Sequence, residues 1–178
     1  QDRSNVRKPC LSDPAVLASM VAKSRDYAAS VRKFGLQGVY VAGEAMVCAG
    51  TVGVHEVCFS PHCQTRYQRW LKGRYGSIEK LNAQWETRHR RFDECKGMLT
   101  AEARKCDNVA PFVDFREFMV DVWADAFREV TDAYRRGDPG LRVGHTHCFG
   151  AVPLGATDIH RLATRAGLTW GQEYPECK

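Results

Sequence analysis

Gly38-Val39-Tyr40-Val41-Ala42-Gly43-Glu44 is the stretch on which the reading of this chain turns. Its first six residues are apolar or small, with β-branched and aromatic members, and the run is too short for a helix. It predicts a buried strand of a parallel sheet, with Glu44 at its carboxyl end. Just upstream, Ser12-Asp13-Pro14 supplies a capping acid and a proline suited to the first helical position. From there Val16, Leu17, Met20, Val21, Val31 and Phe34 recur on one side of a helix, and Gly35 ends it.

The alternation continues downstream. Residues 64–75 predict a helix stopped by Gly76, and Ser77 caps a shorter helix that runs through Trp85. Residues 86–107 are polar and read as irregular. Pro111 then opens the clearest helix in the chain, to about Arg136, with Phe112, Phe115, Phe118, Met119, Val122, Ala126, Phe127 and Val130 at helical spacing. Gly137-Asp138-Pro139-Gly140 breaks it. A second strand follows at 141–146, a helix near 158–165, and a third strand at 167–172. Strands alternating with helices imply a parallel α/β sheet. Three strands cannot close a TIM (β/α)8 barrel, which takes roughly 250 residues, so the chain reads as a segment of one.

At 178 residues, 44% hydrophobic and 26% charged, the composition is that of an ordinary globular protein. No apolar run approaches the ~20 residues that cross a bilayer, so no membrane role is expected. The net charge of +5 comes from 26 basic and 21 acidic residues. They are interspersed, and the densest basic cluster, Arg88-His89-Arg90-Arg91, is followed at once by Asp93 and Glu94. Nucleic-acid binding would need a sustained basic face with stacking aromatics, and is not expected. The eight cysteines are scattered rather than densely spaced, unlike a small disulfide scaffold. They fit buried thiols and one metal site; the compartment stays undecided, with the cytoplasm favoured. A start without Met or apolar signal core, and an end just after a strand, read as the middle of a longer protein.

Three places could carry chemistry. In α/β barrels functional side chains lie at the carboxyl ends of strands; Glu44 occupies such a position as a general acid, or as a structural acid bonded to neighbouring loops. Cys58-Phe59-Ser60-Pro61-His62-Cys63 is a compact cysteine loop. With Cys10 brought in by the fold it would offer thiolates for a structural zinc, which needs four ligands; the alternative is unremarkable thiols. His145-Thr146-His147 puts two imidazoles on one strand face, but without an acidic partner nearby it reads as hydrogen-bonded histidines. There is no glycine-rich phosphate loop.

The chain resembles glycoside hydrolase family 42, the β-galactosidase-type barrels, over most of its length. The likeness rests on the cysteine loop and on Arg69-Trp70-Leu71-Lys72-Gly73-Arg74-Tyr75-Gly76-Ser77-Ile78-Glu79-Lys80-Leu81-Asn82-Ala83-Gln84-Trp85-Glu86-Thr87. It also rests on Arg7-Lys8-Pro9-Cys10-Leu11-Ser12-Asp13-Pro14 and on Tyr174-Pro175. The resemblance implies that residues 1–178 span strands four to six of a catalytic barrel cleaving β-galactosides or related β-glycosides with retention. Glu44 then falls on the acid/base and Tyr174 on a substrate-pocket tyrosine. The nucleophile would come from a seventh strand beyond Lys178, which would leave this segment inactive alone. Trp85 either lines the entrance or belongs to the core. Cys10, Cys58 and Cys63 match three ligand positions of a structural zinc, and a homotrimer is implied for the whole protein. Two departures stand out. Gly43 replaces the asparagine that normally binds a sugar hydroxyl, which opens a non-catalytic carbohydrate-binding or zinc-stabilised structural relative as the alternative. Ser60 replaces the fourth zinc cysteine, leaving that corner to His62, Cys48, water or nothing.

Overall fold

The computed structural model describes residues 8–42, 49–50, 53–54, 57–147 and 158–173. Helix α1 (Pro14–Val31) begins as its sequence predicts: the Asp13 carboxylate accepts from Ala15 N at 2.9 Å. A 3-10 turn, Arg32–Phe34, extends it, and Gly35 closes it at φ 61, the left-handed conformation that costs glycine least. Strand β1 (Gly38–Tyr40) follows. Helices α2 (Pro61–Tyr75), α3 (Ile78–Trp85), α4 (Thr100–Ala103) and α5 (Ala110–Gly137) come after a two-residue-per-strand hairpin, β2 (Ala49–Gly50) with β3 (Gly53–Val54). Strand β4 (Arg142–His147), helix α6 (Ile159–Ala166) and strand β5 (Trp170–Glu173) complete the order.

Strands β1, β4 and β5 form one parallel sheet in that spatial order, with Val39 opposite Val143 and His145 opposite Gly171. Each strand lies beside the next one in the chain, with helices between them. That order without reversal is what a barrel needs, whereas a doubly wound sheet reverses at a switch point.

One sheet face is covered by helices. Val39 and Val143 are buried with Leu141, Ala28 of α1 and Tyr134 of α5, and His145 meets Trp123 and Phe127 of α5 edge to face. On the other face Tyr40, Gly144 and Trp170 share a row. The Tyr40 and Trp170 rings stand 4.3 Å apart across the middle strand. They can do so because a Cβ at Gly144 would come within 2.6 Å of the indole.

The second core lies where α2 and α3 meet α5. Tyr67, Leu71 and Leu81 pack there with Phe115, Phe118, Met119 and Val122, all 1% exposed or less. Each such side chain contributes on the order of 1.5–3 kcal/mol by leaving water. The predicted stripe of α5 is buried throughout, but so are Val120, Trp123, Ala124 and Ala133, because α5 touches α1, α6, α2 and α3 at once. No helix among the described residues is long and apolar enough to cross a membrane.

Four expectations need adjusting. The short β2–β3 hairpin was not foreseen, since two-residue strands leave no periodicity. Helix α2 starts at Pro61 rather than 64, so half of the cysteine "loop" is a helical first turn. Residues 86–107 contain the 3-10 turn Phe92–Glu94 and the short α4. The third strand begins at Trp170, because Gly167 is the left-handed cap of α6 at φ 64.

Candidate functional site

Two helix starts meet at the cysteine cluster. Cys10 lies in the turn before α1, its carbonyl accepting from Asp13 N at 3.2 Å. Cys63 lies in the first turn of α2. Ser60 is the N-cap of that helix: its hydroxyl oxygen accepts from Cys63 N at 3.2 Å, satisfying a donor that would otherwise lack a partner. The same hydroxyl donates to Cys10 Sγ at 2.9 Å. The sulfurs of Cys10 and Cys63 are 3.7 Å apart, and those of Cys10, Cys58 and Cys63 all lie within 4.8 Å of one another. Cys63 Sγ is also 3.4 Å from the Ser12 hydroxyl oxygen.

These thiols perturb one another. The Cys58 thiol is drawn down to about 5, first by a hydrogen bond from Cys63 and against the opposing effect of burial. Cys63 is pushed up, first by that bond to Cys58 and then by burial. Metal binding would require these thiols to lose their protons. Tetrahedral zinc at ~2.3 Å from each thiolate sets its sulfurs about 3.8 Å apart, close to the Cys10–Cys63 spacing, so the three residues suit such an ion. His62 does not join them. It is exposed, with Nε2 3.9 Å from an Asp13 carboxylate oxygen. Ser60 and Ser12 bring hydroxyl oxygens to the cluster; Cys48 lies outside the described residues.

Glu44, Gly43 and Tyr174 also lie outside the described residues. The β1 ladder can be followed past Tyr40: Val41 N donates to Gly144 O at 2.9 Å and Thr146 N to Ala42 O at 3.5 Å. It therefore reaches to two residues before Glu44 in sequence. His145 is held by Nδ1 at 3.1 Å from Ala42 O, in keeping with a hydrogen-bonded strand histidine.

Trp85 does not line an entrance. It is 4% exposed, and its Nε1 donates to Asp114 Oδ2 at 2.7 Å. The core alternative describes it. The reason is Asp114 itself, a 3%-exposed acid on α5. Asp114 also accepts from the Tyr75 hydroxyl at 2.5 Å and pairs with Arg74 Nε at 3.2 Å. Farther along α5, Asp121 accepts from Trp70 Nε1 at 2.8 Å and from Arg165 Nη1 at 2.6 Å. Asp125 accepts from Arg66 Nη2 at 2.5 Å. Sequence reasoning missed these acids, although their spacing of seven and four residues puts them on one face of an otherwise apolar helix. A groove of roughly 950 Å³ beside Arg74, Tyr75, Gln84 and Asn108 lies among these helices and contains none of the expected site residues.

Residues 50–178 match the beta-galactosidase family model, that of glycoside hydrolase family 42. The beta-galactosidase BgaA of a Thermus species is 33% identical over 151 residues, covering 70% of this chain and 22% of the relative. The beta-galactosidase BgaP of a Planococcus species is 27% identical over 127 residues, covering 66% and 18%. Among solved structures, the beta-galactosidase of Bacillus circulans sp. alkalophilus superposes with a TM-score of 0.77 at 18% identity, covering 96% of this chain and 25% of that one. That of Halorubrum lacusprofundi gives 0.71 at 23% identity, covering 95% and 25%. The chain spans about a fifth of the length of these curated relatives. With its three parallel strands in chain order, it belongs to glycoside hydrolase family 42 and forms a segment of that family's α/β barrel.

Proposed function

We propose that residues 1–178 are part of the catalytic barrel of a retaining glycosidase acting on β-galactosides or related β-glycosides, with Glu44 as general acid/base. The observation that carries the glycosidase reading is the family match over residues 50–178; Glu44 precedes that match, and its role rests on the resemblance and on its place just after β1 in sequence. The β1 ladder supports it by extending to Ala42, two residues before Glu44 in sequence; barrel enzymes keep their chemistry at the carboxyl ends of strands. Glu44 would protonate the departing glycosidic oxygen and later take a proton from the attacking water. Retention requires a second carboxylate about 5–5.5 Å away, which this reading assigns to no residue of the chain. Tyr174 would contact the sugar. Gly43 has no side chain with which to hold a hydroxyl, which favours substrates that do not depend on that contact.

The same reading gives Cys10, Cys58 and Cys63 a structural zinc, with the fourth corner left to Cys48, water or nothing. Its support is that the fold brings Cys10 to the sulfurs of Cys58 and Cys63, some fifty residues on in sequence. The ion would tie α1 to α2 and supply no chemistry to bond cleavage.

The test is hydrolysis of aryl β-galactosides by the full-length parent protein, with Glu44→Gln alongside. Loss of a general acid costs on the order of 10²–10⁴-fold. The loss should be smallest for the most activated leaving group, and azide should restore turnover. A folded parent inactive on all β-glycosides would sink the reading and leave a carbohydrate-binding relative. Metal analysis of the same preparation tests the zinc: none bound, and none taken up, removes it.

A further inference from the structure

The sulfurs of Cys10 and Cys63 are in contact at 3.7 Å, and all five described cysteines, Cys10, Cys58, Cys63, Cys95 and Cys106, carry free thiols. Access to the cluster is uneven. Cys58 and Cys63 are 2% and 0% exposed, while Cys10 is partly exposed. A reagent from solvent therefore meets Cys10 first, with Cys63 directly behind it.

We propose that Cys10 and Cys63 form an oxidative modification site in which a small disulfide, such as oxidised glutathione, converts the metal-free cluster into a Cys10–Cys63 disulfide. The proposal rests on the metal reading above only for its protecting state, in which the ion holds all three sulfurs. In the first step the Cys10 thiolate attacks one sulfur of the small disulfide. A Cys10 mixed disulfide forms and one small thiolate leaves. In the second step Cys63 gives its proton to that thiolate and attacks the Cys10 sulfur, releasing the second small thiolate, which takes a proton from solvent. Two protein thiols are oxidised by two electrons, and the small disulfide is reduced to two thiols.

The geometry favours this pair. A disulfide needs its sulfurs at about 2.05 Å, so the 3.7 Å contact closes by side-chain rotation at Cys10, the less buried end. Ser60 holds the Cys10 sulfur in position beside Cys63 by donating to Cys10 Sγ at 2.9 Å. Neither cysteine is needed to cap its helix, since Asp13 and Ser60 do that.

The experiment uses the full-length parent, as purified and after chelation, exposed to oxidised glutathione, alkylated and mapped by mass spectrometry. The chelated protein should lose the Cys10 and Cys63 alkylation products and gain a Cys10–Cys63 linked peptide. The Cys63→Ser variant should instead keep glutathione on Cys10, and Cys10→Ser should give neither product. Exposed Cys106 should react in every sample and serves as the reference thiol. If Cys106 is modified while Cys10 and Cys63 stay alkylatable in the chelated protein, or if Cys10 links elsewhere, the proposal is overturned. Circular dichroism on each variant identifies any misfolded one, and the linked peptide in the unsubstituted protein then decides alone. The two readings fail separately. A protein without metal, in which added zinc gives no protection, loses the zinc site; the linked peptide still decides the disulfide.

Discussion

Asp114 and the Cys10–Cys58–Cys63 cluster are both buried polar centres that tie segments distant in sequence, yet they are completed in different ways. Asp114 is surrounded by donors from three side chains, the Trp85 indole, the Tyr75 hydroxyl and the Arg74 guanidinium. A buried charge in that setting is compensated by the protein itself. The cysteines have mainly one another, plus two serine hydroxyls. Sulfur is a weak donor and a weak acceptor, so their mutual contacts return little. The contrast teaches what separates a saturated structural node from a cluster open to a ligand: the first is completed by its own chain, and the second would be completed by the ion proposed above.

The strongest way to break this comparison is Asp114→Ala, which leaves the indole, the phenol and the guanidinium without their shared acceptor. Unfolding in urea should show a loss of about 3–5 kcal/mol, and Asp114→Asn, which keeps an acceptor, should lose clearly less. A loss under 1 kcal/mol would mean that the node is not saturated as described.

Chelation is the matching experiment on the cluster. If zinc is held with free metal at 100–1,000 times its Kd, stripping it should cost about 3–4 kcal/mol. The Asp114 substitutions should leave that difference unchanged. Equal stability with and without chelator would put the cysteines on the same footing as Asp114.

Gly97→Ala probes the space between the two centres. A Cβ at Gly97 would collide with the ring of Phe115, the neighbour of Asp114 in sequence, and that ring stands 5.0 Å from Phe59, the neighbour of Cys58. Overpacking of about 1–3 kcal/mol should show in thermal melts and should also weaken metal uptake. Ser60→Ala, read in the metal-free protein, should cost only ~1 kcal/mol, the value of a helix cap.

The smallest effect separates clustered thiols from a solitary one. Cys95 is pushed up from 9 to about 11, chiefly by burial and then by Glu94 and Asp93, whereas Cys58 falls to about 5 beside Cys63. Between pH 9 and 11 the unfolded chain has released the Cys95 proton while the folded chain retains it. Stability therefore falls as pH rises through that window. The slope of melting temperature against pH from 9 to 11 should be shallower in Cys95→Ala than in the unsubstituted protein.

The helices and strands were legible because their signals are local. Asp13-Pro14, Ser77 and Gly35 mark element ends through the chemistry of single residues, and the α5 stripe repeats over many turns. Family membership was legible from the cysteine loop and the tryptophan–tyrosine–glycine segment after it. The gathering of Cys10 with Cys58 and Cys63 was raised as an option from the residue types and favoured through that resemblance, since nothing near Cys10 says where its sulfur will go. Trp85 was ambiguous for the same reason. Whether an indole faces sugar or core depends on a partner such as Asp114, 29 residues away, and a lone acid inside an apolar helix looks like any surface acid until the helices on both sides are placed. The β2–β3 hairpin was beyond reach because two residues per strand carry no pattern.

The pairing of Tyr40 with Trp170 over Gly144 has a spectroscopic consequence. Of the four tryptophans, Trp70, Trp85 and Trp123 belong to the helical layer, so Trp170 is the one tryptophan seated in the sheet. Its ring reaches a tyrosine two strands away, and that coupling exists only when β1, β4 and β5 are side by side and in register. A near-ultraviolet circular dichroism band that vanishes in Tyr40→Leu would thus report closure of all three strands at once. In a refolding experiment it would time sheet assembly separately from helix formation.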